Sequence, residues 1–282
     1  MAGKRKKLGV VGHPIEHSLS PVMHKAALQE LGLDYEYGSY DMGKEALRDF
    51  IQGCRKDFLG LNVTIPHKVA VIDFLDDLSR EAGLIGAVNT IKFSDGKAVG
   101  YNTDGIGCVK ALKEAGISVK GRQFLVLGAG GAARAVVFQL LLEGAGVSVA
   151  NRTRKSAVDL KKDVGERLGK DLHVIDFLVK EIGNELEKAD VLINTTSAGM
   201  FPKVDEIIIH SDIIPRNVAV MDIVYNPIQT RLLREAWVKG CKTVNGVGML
   251  VHQGAESLRI WLDIAAPVDV MEEAVLERLK KR

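Results

Sequence analysis

The chain has few aromatic residues, only 5% of its 282 positions, and almost no excess of either charge. Its 38 Lys and Arg against 36 Asp and Glu leave a formal net charge of +2. So even a balance argues against a general polyanion binder, and nucleic acid is not an expected partner. Cysteine is scarce: Cys54, Cys108 and Cys241 are widely separated with no CxxC pair, which excludes a disulfide framework and a zinc site and predicts a reducing, cytoplasmic setting. No stretch approaches the roughly 18 uninterrupted apolar residues of a spanning helix, so no membrane partner is expected either. The basic start Lys4-Arg5-Lys6-Lys7 leads into Leu8 to Val11 and breaks at Gly12-His13-Pro14. That apolar run is too short for a secretory signal, and the basic cluster reads as a solvated tail. Hydrophobic residues at 46% and charged residues at 26% exclude disorder and collagen-like order. What stands above the average is glycine, 29 residues of it.

Segments rich in Val, Ile and Leu alternate with longer segments of helical period, the mark of βαβ units around a parallel sheet. The expected order is a strand at Leu8 to Val11, a helix from Pro21 to Leu31 capped by Ser20, a strand at Tyr35 to Tyr40 and a helix from Lys44 to Lys56. A strand at Gly60 to Val63, a helix from His67 to about Leu78, and a hairpin over Ala87 to Tyr101 follow. After Asp104 come a helix to Glu114, a strongly apolar strand at Gln123 to Leu127, a helix from Ala132 and a strand at Val147 to Ala150. Beyond these lie a helix from Ser156, strands at Val191 to Asn194 and Val218 to Asp222, and a helix at Thr230 to Lys239. Two helices close the chain, Met249 to Ile260 and Val268 to Lys280. This is a two-domain α/β protein: an N-terminal domain over 1–104, a Rossmann-like domain with a parallel sheet over 105–248, and terminal helices 249–282 expected to pack back on the first.

Gly128-Ala129-Gly130-Gly131-Ala132-Ala133 fits G-x-G-x-x-A directly after an apolar strand and before a helix. One glycine makes the tight turn and another lets the backbone approach a pyrophosphate, which rests on the N–H groups of the helix start. An NAD site places an acid at the end of the second strand, about 20 residues on, to bind the ribose 2′-OH. Here that place holds Asn151-Arg152-Thr153-Arg154-Lys155, without an acid. Guanidinium groups match phosphate bidentately, so Arg152 and Arg154 predict a 2′-phosphate and hence NADP. A solvated charged loop is the competing reading.

In the first half, Ser18-Leu19-Ser20-Pro21 sits at a helix start, where capping accounts for Ser20 but not for Ser18. Asn62 to Lys68 places hydrogen-bonding side chains and a lysine at a strand-to-helix turn, the usual place for ligand contacts in open α/β sheets. Asn89-Thr90 and Asn102-Thr103-Asp104 flank the hairpin. Alone, each is a turn signal, and Lys68 an exposed lysine at a helix start. Together they supply hydroxyls, amides, one lysine and one carboxylate with no aromatic wall, suited to a small, polyhydroxylated, anionic substrate. His13 and His17 are four residues apart, but Pro14 lies between them and no acidic third ligand is near, so no metal is expected.

These segments resemble the shikimate dehydrogenase family. The matching series is Ser18-Leu19-Ser20-Pro21, Asn62-Val63-Thr64-Ile65-Pro66-His67-Lys68, Gly86 to Thr90, Gly100 to Gly105, the glycine turn, Asn151-Arg152-Thr153, Asn194 to Met200, Tyr225-Asn226-Pro227 and Asn245 to Leu250 with Gln253. It runs nearly the length of the chain in the family's order. The resemblance implies that Lys68 and Asp104 are the catalytic pair and that Ser18, Ser20, Thr64, Asn89, Tyr225 and Gln253 hold substrate with them. It implies that Gly128, Ala129, Gly130, Gly131, Ala132, Asn151, Arg152, Thr153, Arg154, Thr196, Ile223 and Gly246 hold NADP. Thr195 departs from the small residue common in the family, with no functional consequence expected. The implied reaction is reversible NADPH-dependent reduction of 3-dehydroshikimate to shikimate, by a monomer or homodimer. Lys68 either carries the hydroxyl proton or mainly orients the substrate oxygen. A sister enzyme acting on quinate or with NAD, and a non-catalytic NADPH-binding sensor, are the alternatives.

Overall fold

A computed structural model describes residues 6–281. Lys4 and Arg5 of the basic cluster lie outside the described residues. The chain up to Asp104, joined by the chain from Val251 onward, forms one compact unit, and Gly105–Leu250 forms another.

The first unit opens with β1 (Lys7–Gly12), α1 (Ser20–Glu30), β2 (Glu36–Asp41), α2 (Lys44–Asp57) and β3 (Gly60–Val63). It continues through β4 (Asp77–Leu78), α3 (Arg80–Ile85), β5 (Thr90–Ser94) and β6 (Lys97–Tyr101). The six strands form one sheet in the order β2-β1-β3-β5-β6-β4. From Leu8 onward β1 is buried throughout, as expected of a strand covered on both faces. β1 runs parallel to β2 and β3, but the hairpin strand β5 is antiparallel to β3 and to β6, so this sheet is mixed. Asn62 at the end of β3 stands opposite Thr90 at the start of β5, and Thr90 opposite Tyr101 at the end of β6. That register gathers residues 64–68, 89–90 and 102–104 at one end of the three central strands.

Two local expectations fail here. The stretch His67 to Leu78 is not one helix: it holds a short 3₁₀ turn at Ala70–Phe74 and then β4, and α3 begins only at Arg80. The alternative is tertiary, because β4 pairs with β6 and Asp76 accepts the Ala98 N–H at 2.6 Å while bonding to Arg55. Ser20 is not the cap of α1 but its first residue; Leu19 occupies the cap, and the Ser18 hydroxyl accepts the Ser20 N–H at 3.3 Å. The Ser20 side chain is therefore not used in capping, contrary to the expectation.

The second unit runs along α4 (Asp104–Glu114), β7 (Gln123–Leu127), α5 (Gly131–Leu142), β8 (Gly146–Ala150), α6 (Arg154–Leu168) and β9 (His173–Ile175). Then come α7 (Val179–Leu186), β10 (Val191–Asn194), β11 (Ala219–Asp222), α8 (Arg231–Val238) and β12 (Thr243–Val244). Its strands are all parallel, in the order β12-β11-β10-β7-β8-β9. The order reverses between β7 and β10, the point where open α/β sheets bind ligands beyond their carboxyl ends. The strands β9 and β12 and helix α7 have no counterpart in the sequence reading. Two or three residues are too few to display a period.

Helix α9 (Gly246–Leu262) and helix α10 (Val268–Lys280) end the chain, with α10 packed on α1. In the first unit His24 of α1 is fully buried and stacks on Tyr37 with ring centroids 4.4 Å apart. Neither of its ring nitrogens meets a hydrogen-bond partner. Burial pushes its pKa from 6.5 down to about 3, opposed only by the nearby Asn62 side chain. An unfolded histidine takes up a proton that the folded one refuses, so this stability is complete above the unfolded pKa and drains away as pH falls below it. At about pH 5 the loss from this group is about 2 kcal/mol. Thermal melts between neutral and mildly acid pH should show a steeper fall for the native chain than for His24→Phe; parallel slopes would refute this.

Candidate active site

At that end of the central strands of the first unit, the Lys68 Nζ donates to Asp104 Oδ2 at 2.6 Å. The lysine side chain is 17% exposed and the aspartate 7%, so the pair is largely withdrawn from water but reachable from one side. The other Asp104 oxygen accepts from the Asn89 amide at 2.9 Å. The same amide nitrogen reaches Thr103 Oγ1 at 2.9 Å and Gln253 Oε1 at 3.3 Å. Each unit of charge thus has a polar partner, without which its burial would cost several kcal/mol. Lys68, Asp104, Asn89 and Gln253 form one bonded set. Ser20, buried, lies beside the Tyr37 hydroxyl, and Thr64, half-buried, follows β3. Ser18 is half-buried before α1. Tyr225, half-buried, belongs to the second unit and follows β11. His13 Nδ1 bonds to Asp41 at 2.5 Å at the surface.

In the second unit the segments singled out for a cofactor follow the carboxyl ends of β7, β8, β10 and β11. Gly128 has φ +117°, and a Cβ there would lie 2.5 Å from Thr195 Oγ1, so folding itself demands glycine. Gly130 is different: its φ is −82° and a Cβ would meet nothing within 4 Å. Folding gives no reason for a glycine there, whereas a pyrophosphate approaching the backbone does. Helix α5 starts beside it with no side-chain cap and no acid in its first turn, leaving its N–H groups and dipole to an anion. The residues present therefore fit a dinucleotide. Gly130→Ala should leave the melting temperature unchanged and weaken NADP binding, while Gly128→Ala should lower the melting temperature itself. Equal losses of stability in both would remove the distinction.

Beyond β8, the Asn151 amide donates to Thr153 O at 2.9 Å and shapes the loop. Arg152 is exposed there. Arg154, also exposed, starts α6 and bonds through Nε to Asp176 at 2.5 Å. At β10 the Asn194 oxygen accepts from Thr196 N–H and Oγ1, at 3.0 and 2.7 Å, while its amide donates to Asp222 at 3.0 Å. Asp222, fully buried, also accepts from Thr230 and from the Val224 N–H. Burial outweighs these bonds and raises its pKa to about 6. The Thr195 hydroxyl donates to Leu127 O at 2.7 Å, an anchor a smaller residue would lack. At Gly246 a Cβ would sit 2.2 Å from the Ile223 carbonyl oxygen, so packing requires glycine and sets Gly246 against Ile223.

Comparison with known proteins agrees with this arrangement. Residues 10–91 match the shikimate dehydrogenase substrate binding domain, residues 110–225 the shikimate / quinate 5-dehydrogenase model, and residues 246–276 the shikimate 5'-dehydrogenase C-terminal domain. A shikimate dehydrogenase (NADP(+)) of Methanopyrus kandleri is 48% identical, the alignment covering 97% of this chain and 96% of the relative. The chain belongs to the shikimate dehydrogenase family. One family structure, a shikimate dehydrogenase in complex with NADP+, is 42% identical with a TM-score of 0.93, covering 98% of this chain and 96% of the other. Another, from Thermus thermophilus in complex with NADP(H) and shikimate, is 40% identical with a TM-score of 0.88 over 96% and 99% of the two chains.

For a shikimate dehydrogenase family member, the sequence reading left out the buried layer behind these groups, Tyr37 and Ser257 in the first unit and Asp222 and Thr230 in the second, and took Thr90 only as one hydroxyl beside the hairpin. One signal was available. Ser257 lies one helical turn after Gln253, on the same face of α9. The others become visible only through partners distant in sequence.

Proposed function

We propose that the protein is an NADP-dependent shikimate dehydrogenase, reversibly reducing 3-dehydroshikimate to shikimate in aromatic amino-acid biosynthesis. The observation that carries the reading is the Lys68–Asp104 pair, 2.6 Å apart and largely buried, bonded to the amide of Asn89 at the end of the central strands. When bound, NADP supplies the hydride acceptor or donor. The glycine turn and the open start of α5 hold its pyrophosphate, and Arg152 its 2′-phosphate. Removing hydrogen from a secondary alcohol leaves a hydroxyl proton to be taken up, and reduction of the ketone requires one to be supplied. Lys68 Nζ is the group that moves that proton, and Asp104 Oδ2 holds it in place. Asn89, bonded to the other oxygen of Asp104, keeps the carboxylate turned toward Lys68. Asn89, Gln253, Ser18, Ser20, Thr64 and Tyr225 bind the hydroxyls and carboxylate of the substrate.

The three cysteines are buried and form no disulfide, which supports work in a reducing cytoplasm. Among the described residues no helix is long and apolar enough to cross a membrane. The test is the appearance of reduced-nicotinamide absorbance with shikimate and NADP, compared with quinate and with NAD. A higher kcat/KM for quinate or for NAD moves the reading to the sister enzyme. Cofactor binding without oxidation of either substrate leaves only a sensor.

A further inference from the structure

We infer that Thr90 is a positioning residue for the reacting pair, acting through Asn89; the inference rests on the proposed roles of Lys68 and Asp104. Thr90 is fully buried at the start of β5, and its hydroxyl lies within a closed set of polar groups. The direction of each bond is anchored on backbone groups of fixed role: the Asn89 carbonyl can only accept, and it takes the Asn62 amide N–H at 3.2 Å. The Tyr37 hydroxyl donates to Asn62 Oδ1 at 2.7 Å, which turns the Asn62 amide nitrogen toward Thr90 Oγ1 and Ser257 Oγ, at 3.2 and 3.0 Å. The Ser257 proton goes to the Gln253 carbonyl at 2.9 Å. Thr90 Oγ1 thus accepts from Asn62 and shares its single proton between Asn89 Oδ1 at 3.1 Å and Ser257 Oγ at 2.8 Å. The Thr103 N–H also donates to Asn89 Oδ1, at 2.8 Å, so the Asn89 amide nitrogen must face Asp104.

Asn89 therefore has its oxygen held by Thr103 and Thr90 and its nitrogen on the carboxylate that holds Lys68. Loss of the Thr90 hydroxyl leaves the Asn62 amide its bonds to the Asn89 carbonyl and Ser257 Oγ, but removes a donor from Asn89 Oδ1 and loosens that side of Asn89. Small displacements of a reacting group cost rate steeply, and a functional site relies on the layer behind it for its placement. Since the Thr90 hydroxyl is enclosed by protein groups, its effect reaches the site only through Asn89, and the readout specific to the reacting pair is the pH profile of turnover.

Thr90→Val removes the hydroxyl with little change of shape, and Thr90→Ser keeps it. The expected result for Thr90→Val is a kcat about tenfold lower and a displaced pH profile of kcat. Thr90→Ser should restore both kcat and profile. Native kcat and profile in Thr90→Val, or equal impairment of Thr90→Ser, overturns the proposal. Should Thr90→Val not fold, Ser257→Ala carries the same expectation in kcat and profile, and native behaviour there overturns it as well. Lys68→Met measured in parallel keeps the two levels apart. An active Lys68→Met rejects the assignment of the pair, whereas an inactive Lys68→Met beside a native-like Thr90→Val rejects only the role of Thr90.

Discussion

Lys68→Met should lower kcat by about 10²–10⁴-fold, the range a positioned proton donor or acceptor contributes, while NADP still binds with native affinity. Methionine keeps the length and much of the apolar stem of lysine but cannot carry a proton. It also leaves Asp104 without its Nζ partner in a largely buried place. Stability should therefore fall as well, and a pair-breaking loss of about 3–5 kcal/mol is the scale for a buried carboxylate left alone. Kinetics must accordingly be read at a temperature where the variant is folded. A turnover within a few-fold of native would mean that Lys68 only orients the substrate oxygen. Asp104→Asn provides the complementary measurement, because it retains a hydrogen-bond acceptor for Lys68 but removes the charge.

Arg152→Ser should erase most of the preference for NADP over NAD. Hydrogen bonds to a charged group are worth about 1.5–3 kcal/mol, which corresponds to roughly a tenfold to hundredfold loss of NADP affinity with NAD affinity nearly unchanged. Titration of each cofactor into the variant, without substrate, measures this directly. Arg154→Ser should have a smaller effect, since in this structure its guanidinium is already bonded to Asp176. Equal losses for NAD and NADP in Arg152→Ser would indicate a general change in the loop rather than a lost phosphate contact. Unchanged affinity for both would return Arg152 to a solvated surface charge.

Local backbone requirements were legible before any coordinates. The strand, glycine turn and helix from Gln123 to Leu142 are consecutive in sequence, as are the strand and cationic loop from Gly146 to Arg154. Each depends on neighbouring residues: an apolar run, a glycine where φ is positive, a missing acid. The same locality explains two failures. In 67–78, helical periodicity lost to the pairing of β4 with β6, and at α1 the expected cap Ser20 is the first helical residue because the helix starts one residue earlier, with Leu19 at the cap.

The chain's order of residues was sufficient for its family, its two α/β units, a dinucleotide site and the absence of an acid where a 2′-phosphate would lie. Which polar groups meet was settled by packing. Asn62 reaches Ser257, and Asn89 reaches Gln253, across more than half the chain. No periodicity encodes such pairs, because each bond depends on the register of β3, β5 and β6 and on where α9 lies against them. Gly130 shows the converse. Its motif was plain in the sequence, but only the empty space around it in the fold separates a glycine suited to a ligand from one needed for a turn, as at Gly128.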